Sequence, residues 1–274
     1  MKLRKYSAAG VGVLALIVSA GLAVPAAQQA VPNDAWCEDE HWGSDREGVC
    51  EVREFTVPVP NGPVTVDAAP NGGIAVTGGP RSDVLVRARV VATAVTEDRA
   101  REIANAVRVN QDGAQIQAEG PDRLGRREGW HVSYRVAVPN QAGLALKTTN
   151  GGIAIEDVEG RIEFRTTNGG VKLAGLAGQV TGRTTNGGIT VDLEGQTWRG
   201  EGLDVETTNG GVRLAVPAQY SARLDAGTTN GGLNVDFPVT VQGRIGRDIQ
   251  ADLGAGGPPI RVRTSNGGVR VVRK

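Results

Sequence analysis

The sequence predicts an all-β protein with one short helix, wound as a β-solenoid, a single-stranded β-helix built from rungs of about 18 residues. Three observations predict it. One phrase, Thr-Thr-Asn-Gly-Gly followed by an aliphatic residue, recurs along the second half of the chain. Apolar and polar residues alternate with a period of two on both sides of each copy, the signature of strands with one buried face. The composition is glycine-rich and aromatic-poor, with 40 Gly in 274 residues and 4% aromatics, which suits a narrow aliphatic coil. Thirty basic side chains balance thirty acidic ones, so no net basic charge argues for nucleic acid as a partner.

The chain opens with an address. Lys2, Arg4 and Lys5 precede a short apolar run from Val11 to Val24, and Val24-Pro25-Ala26 offers small residues at a cleavage site. Residues 1–26 read as a signal peptide, the run being too short for the roughly 20 residues that cross a bilayer. An uncleaved anchor is the alternative. After cleavage no transmembrane span is expected, and the protein would be exported: periplasmic, cell-surface or secreted.

Residues 27–54 form an acidic segment. Eight carboxylates from Asp34 to Glu54 face only Arg46 and Arg53. Cys37 and Cys50 are the only cysteines, and in an oxidising compartment such a pair is most simply a disulfide. A metal site using Cys37, His41 and Cys50 is the other reading, but the spacing matches no zinc pattern and lacks a fourth ligand. No metal or cofactor is therefore expected. Trp36 and Trp42 make the segment either a docking loop for a basic partner or a cap over the end of the β structure.

Residues 55–139 are strand-rich with one helix over about 96–108. Thr96 is its cap, Glu97 and Asp98 occupy its first turn, and Ala100, Ile103, Ala104 and Val107 form its apolar stripe.

Residues 140–274 carry the repeat. Its asparagines are Asn150, Asn168, Asn186, Asn209, Asn230 and Asn266, at steps of 18, 18, 23, 21 and 36. The last step, twice 18, reads as a rung that lost its phrase near Arg244 to Asp252, and Pro70-Asn71-Gly72-Gly73 reads as an earlier, degenerate copy. A meander of hairpins would explain Asn-Gly as a turn, but not why the whole phrase is copied. Stacking explains it: equivalent Asn side chains can bond in a ladder, Thr hydroxyls can stack, and Gly-Gly can supply positive φ and close approach. Seven or eight rungs give a rod of roughly 35 Å.

The exported leader, the strand-rich sheet with one charged helix and the Thr-Thr-Asn-Gly-Gly repeats together resemble the bacterial "putative adhesin" family of β-repeat proteins over roughly residues 55–274. The resemblance implies attachment or interaction at the cell envelope and brings no catalytic residues. The acidic Cys37–Cys50 segment lies outside it.

An enzyme on the same architecture would need acids clustered on one face of neighbouring rungs. Glu156, Asp192 and Asp236 share a position six residues after their Asn, but Ala174 and Ala215 interrupt them. A second strip, Lys147, Arg165, Arg183 and Arg263, three residues before the Asn, is a candidate binding face for an anionic polymer. The expected function is a non-enzymatic, adhesin-like or scaffolding module whose partner is an envelope protein or polysaccharide. The alternatives are a β-helical polysaccharide-active enzyme and an envelope sensor.

Overall fold

Alternating sequences with aliphatic residues at every second position bury one face, and two such faces bury each other. The computed structural model describes residues 28–31, 34–38, 42, 45–236 and 246–274. The signal-peptide reading of residues 1–26 lies outside the described residues. Two sheets, of 11 and 10 strands, enclose one aliphatic core. Every full rung puts one strand in each sheet and turns between them at the Asn-Gly-Gly corner. Glu159–Asn168, Ala177–Asn186 and Gly202–Asn209 stack in parallel in the second sheet, and Val171–Ala174, Ile189–Asp192 and Val212–Val216 stack in the first. This is the solenoid, and the meander of hairpins is excluded for the repeat.

Three details differ from the sequence expectation. The rung at Asn266 does not follow the rung at Asn230; it is inserted between those of Asn209 and Asn230. Among the described residues of the long step before Asn266 no lost rung stands either; Arg244 and Ile245 lie outside them. The Asp248–Leu253 strand of that step runs antiparallel along Ala222–Asn230 at the edge of the second sheet. Finally, a single helical turn at Ala35–Glu38 adds a second helix to Glu97–Ala106.

The early copy is a full rung. Val64–Asp67 pairs with Leu144–Lys147 and Ile74–Gly79 with Ile153–Glu156, so residues 64–79 begin the column across a long insertion. Within that insertion Asp83–Ala94 and Gly129–Pro139 extend the first sheet, and Glu47–Pro58 continues it as one strand across the 54/55 boundary. Helix Glu97–Ala106, capped by the Thr96 hydroxyl, packs Ala100, Ile103 and Ala104 on Ala92 and Ala94.

The corners account for the copied phrase. Asn71, Asn150, Asn168, Asn186, Asn209, Asn266 and Asn230 form one ladder in that spatial order, each Nδ2 donating to the previous Oδ1 at 2.7–3.0 Å. The first threonine of each phrase is buried, and its hydroxyl does not stack on other threonines. It donates to the carbonyl of the first glycine one rung away, as Thr184 does to Gly169 at 3.0 Å. The Asn71 rung has Ala69 at the equivalent place, and its outer neighbour is the strand Gly129–Pro139, which carries no Asn-Gly-Gly phrase.

Positive φ is not what most of the corner glycines supply; Gly267, at φ 159°, is the exception among them. Gly151, Gly169, Gly187, Gly210 and Gly231 lie outside the left-handed region; an added Cβ on each would instead sit 1.9–2.2 Å from a neighbouring glycine carbonyl oxygen. Close approach is the reason for glycine here.

The Asn side chains are exposed, so water replaces much of what a lost ladder bond contributes. Asn186→Ala breaks two bonds and is expected to cost about 1–2 kcal/mol, against under about 0.5 for the outward Thr190→Ala. Urea unfolding of the two variants checks this; equal small effects would leave the ladder without energetic weight.

Candidate functional site

In a stacked column a residue's row neighbours come from other rungs, so outward side chains line up in rows up each sheet. The sequence-derived strip lies on the second sheet. Lys147, Arg165 and Arg183 are adjacent, then Glu206 intervenes before Arg263. Carboxylates neutralise most of it: Asp67 holds Lys147 at 2.9 Å, Glu206 lies 3.7 Å from Arg183, and Asp225 and Asp248 both hold Arg263. Arg165 alone has no ion pair among the described residues.

The acidic row lies on the first sheet as Glu156, Ala174, Asp192, Ala215, Val272 and Asp236. Asp192 is two rungs from Glu156, about 10 Å, and is ion-paired to Lys274. No two carboxylates of this row are neighbours, and none is buried.

Cys37 and Cys50 are joined, with Cα atoms 5.7 Å apart, so neither thiol serves a metal. The bridge ties the one-turn helix to the strand Glu47–Pro58. Asp34 anchors the same segment. It accepts from the Trp36 backbone N–H and pairs with Arg87, and its pKa is lowered, first by the Trp36 hydrogen bond and then by the Arg87 charge, against a desolvation cost. Neither tryptophan stands free as an anchor. Trp42 lies on Gly48, where a Cβ would be 2.3 Å from its ring. Trp36 packs under two guanidiniums, Arg135 at 4.0 Å and Arg89 at 5.0 Å from the ring centroid. Both tryptophans are thus packed against residues of this chain, Trp36 on the outer face of the first sheet.

Trp36 and Arg135 also form one end of a shallow open groove of about 680 Å³ on the first sheet, which runs over Gly152, Ala154, Gly170 and Lys172 to Gly188 and Thr190. Lys172, Arg213 and Arg270 hold the outward position four residues after their asparagines. What joins them in a row is the inserted Asn266 rung, which sets Arg270 directly beside Arg213.

The stacked rungs are also where the likeness to known proteins falls. The profile of the Toastrack DUF4097 family matches residues 131–272, more than half of the chain. The chain belongs to the Toastrack DUF4097 family. No curated protein matches the sequence. Among solved structures, the Toastrack chain is similar to a putative cell adhesion protein from Clostridium sporogenes, at 12% identity and a TM-score of 0.39, covering 83% of this chain and 100% of that one. It is also similar to a putative adhesin from Parabacteroides distasonis, at 10% identity and a TM-score of 0.37 over 81% of this chain and 97% of the other. A putative lipid binding protein from the same organism gives 11% and 0.35, over 81% and 96%. Likenesses this distant say nothing about a ligand. Among the described residues no helix of the Toastrack chain is long and apolar enough to cross a membrane, and no three His, Cys, Asp or Glu side chains are grouped to hold a metal.

Proposed function

We propose that the protein is an exported, non-enzymatic interaction module of the cell envelope, adhesin-like or scaffolding, that binds with the outer face of a sheet. One observation carries the reading: the stacking of rungs in register, which turns single outward residues into long flat rows. Rows suit extended partners, whereas catalysis needs convergent groups in a cleft. The basic, apolar leader and the Cys37–Cys50 bridge support export.

The test uses envelope fragments from the producing cell. The purified protein is expected to co-sediment with them saturably, and to leave the chain length of every glycan in a broad panel unchanged. Shortening of an acidic glycan, abolished by Asp192→Asn, would replace this reading with the polysaccharide-active enzyme.

A further inference from the structure

The outward position four residues after each ladder asparagine generates a second charged row, and it differs from the strip on the other sheet. From the insertion side it reads Arg135, Ala75, Ala154, Lys172, Thr190, Arg213, Arg270 and Asn234. Arg87 precedes Arg135 in the same row and is neutralised by Asp34 and Glu54. Beyond it no carboxylate enters the row. Arg135, Lys172, Arg213 and Arg270 are exposed, and none lies in an ion pair among the described residues.

Two features make this more than solvated surface charge. Arg213 and Arg270 are direct cross-strand partners on adjacent rungs, about 4.8 Å apart. Like charges placed so repel, and the described residues provide no counter-charge between them. An anion bridging both guanidiniums would turn that repulsion into charge-assisted hydrogen bonds. At the other end, Arg135 is held over the Trp36 ring, and its pKa is lowered by burial and then by Arg87 and Arg89, against the Asp34 charge, which raises it. The residues beside the row are small: Gly152, Gly170, Gly188 and Gly211 flank it on one side, and on the other Ala174, Ala215 and Val272 stand among Glu156, Asp192 and Asp236. The Asp192 charge is met by Lys274.

We infer that this row on the first sheet is the binding face for a linear carboxylated polysaccharide lying along the column, from the Trp36–Arg135 groove to the Arg213–Arg270 pair. The inference rests on the interaction-module reading and names its ligand class. Charge complementarity selects a polyanion. The density of charge selects the kind: four cations over six rung steps, about 29 Å, is roughly one per 10 Å. That is sparse for the phosphate backbone of a nucleic acid, which carries a charge at every nucleotide. It fits an extended polyuronate, in which every second sugar turns its carboxylate to the same side of the chain. The glycine and alanine positions beside the row, next to an indole, admit sugar rings.

The experiment is titration calorimetry of the purified protein with polygalacturonate, dextran, polyphosphate and duplex DNA at one physiological ionic strength. Polygalacturonate is expected to bind saturably and dextran not at all. Arg213→Gln with Arg270→Gln is expected to weaken binding by about tenfold or more. Lys147→Gln with Arg165→Gln, on the other sheet, is expected to change it less than about twofold. Circular dichroism of both double variants should match the parent. Absence of polygalacturonate binding, or equal loss from both pairs, overturns the inference. Polyphosphate or DNA held as tightly as polygalacturonate overturns the assignment to a glycan. The same variants in the envelope sedimentation assay separate the two readings: normal sedimentation of a protein that ignores polygalacturonate overturns the ligand class and leaves the module standing, whereas loss of all sedimentation in the parent overturns both.

Discussion

Gly187→Ala is expected to destabilise the protein by at least about 3 kcal/mol, and Gly188→Ala, one residue on, by less than about 1 kcal/mol. The two glycines are chemically identical and belong to the same corner. They differ in what stands beside them. A methyl on Gly187 would lie 2.1 Å from the Gly169 carbonyl oxygen and 2.6 Å from its carbon; on Gly188 the nearest atom, the Gly211 carbonyl oxygen, is 3.4 Å away. Relief at Gly187 cannot come from a side chain moving aside, because the obstacle is backbone. Separating the rungs there would stretch the Gly169 N–H bond to the Asn186 carbonyl, the Asn186–Asn168 amide bond and the Thr184 hydroxyl bond to Gly169 together. Thr184 is buried, so the abandoned Gly169 carbonyl would lose its partner away from water. Urea unfolding with a constant m-value measures both variants. Equal costs for the two glycines would mean that backbone freedom in the unfolded chain, not rung contact, is why glycine stands there.

The same corner shows which parts of the structure were legible in the sequence. Stacking copies a residue's environment from rung to rung, so it also copies the residue, and the repeated Thr-Thr-Asn-Gly-Gly exposes the column directly. The roles inside the phrase were less legible. Whether a glycine serves positive φ or close approach depends on how near the next rung's carbonyl comes, which no single rung encodes. The threonine hydroxyls answer glycine carbonyls for the same reason. Rung order was not legible at all. Identical corners can neighbour one another in any order, so nothing in the phrase places Asn266 between Asn209 and Asn230. That order creates the Arg213–Arg270 pair, and sequence reasoning accordingly weighed the strip through Lys147 and Arg165 instead. The acidic segment was legible in its bridge, Cys37–Cys50, but not in its tryptophans. Trp36 meets Arg89 and Arg135 only because Asp83–Ala94 and Gly129–Pro139 extend the first sheet beneath it.

Phe164→Ala is expected to cost about 3–5 kcal/mol, the range for emptying a large buried aromatic site. Its position makes a sharper test than the loss alone. The inward row of the second sheet through this residue reads Val66, Leu146, Phe164, Gly182, Val205, Val262 and Ala226. The largest and the smallest residue of the row stand side by side. A Cβ on Gly182 would lie 2.1 Å from the Phe164 Cζ, so the phenyl ring occupies the volume that a side chain on the next rung would fill. The core is therefore filled by the pair, not rung by rung. Gly182→Ala alone should overpack the site and cost about 1–3 kcal/mol. Shortening Phe164 to leucine, the residue its neighbour Leu146 already uses, frees that volume. The double variant Phe164→Leu with Gly182→Ala should be more stable than Gly182→Ala alone, with a coupling of about 1 kcal/mol or more. Strict additivity in a double-mutant cycle of urea midpoints would show that the two rungs pack independently. Coupling would show that neighbouring rungs share one core volume, and that sequence changes on one rung are read by the next.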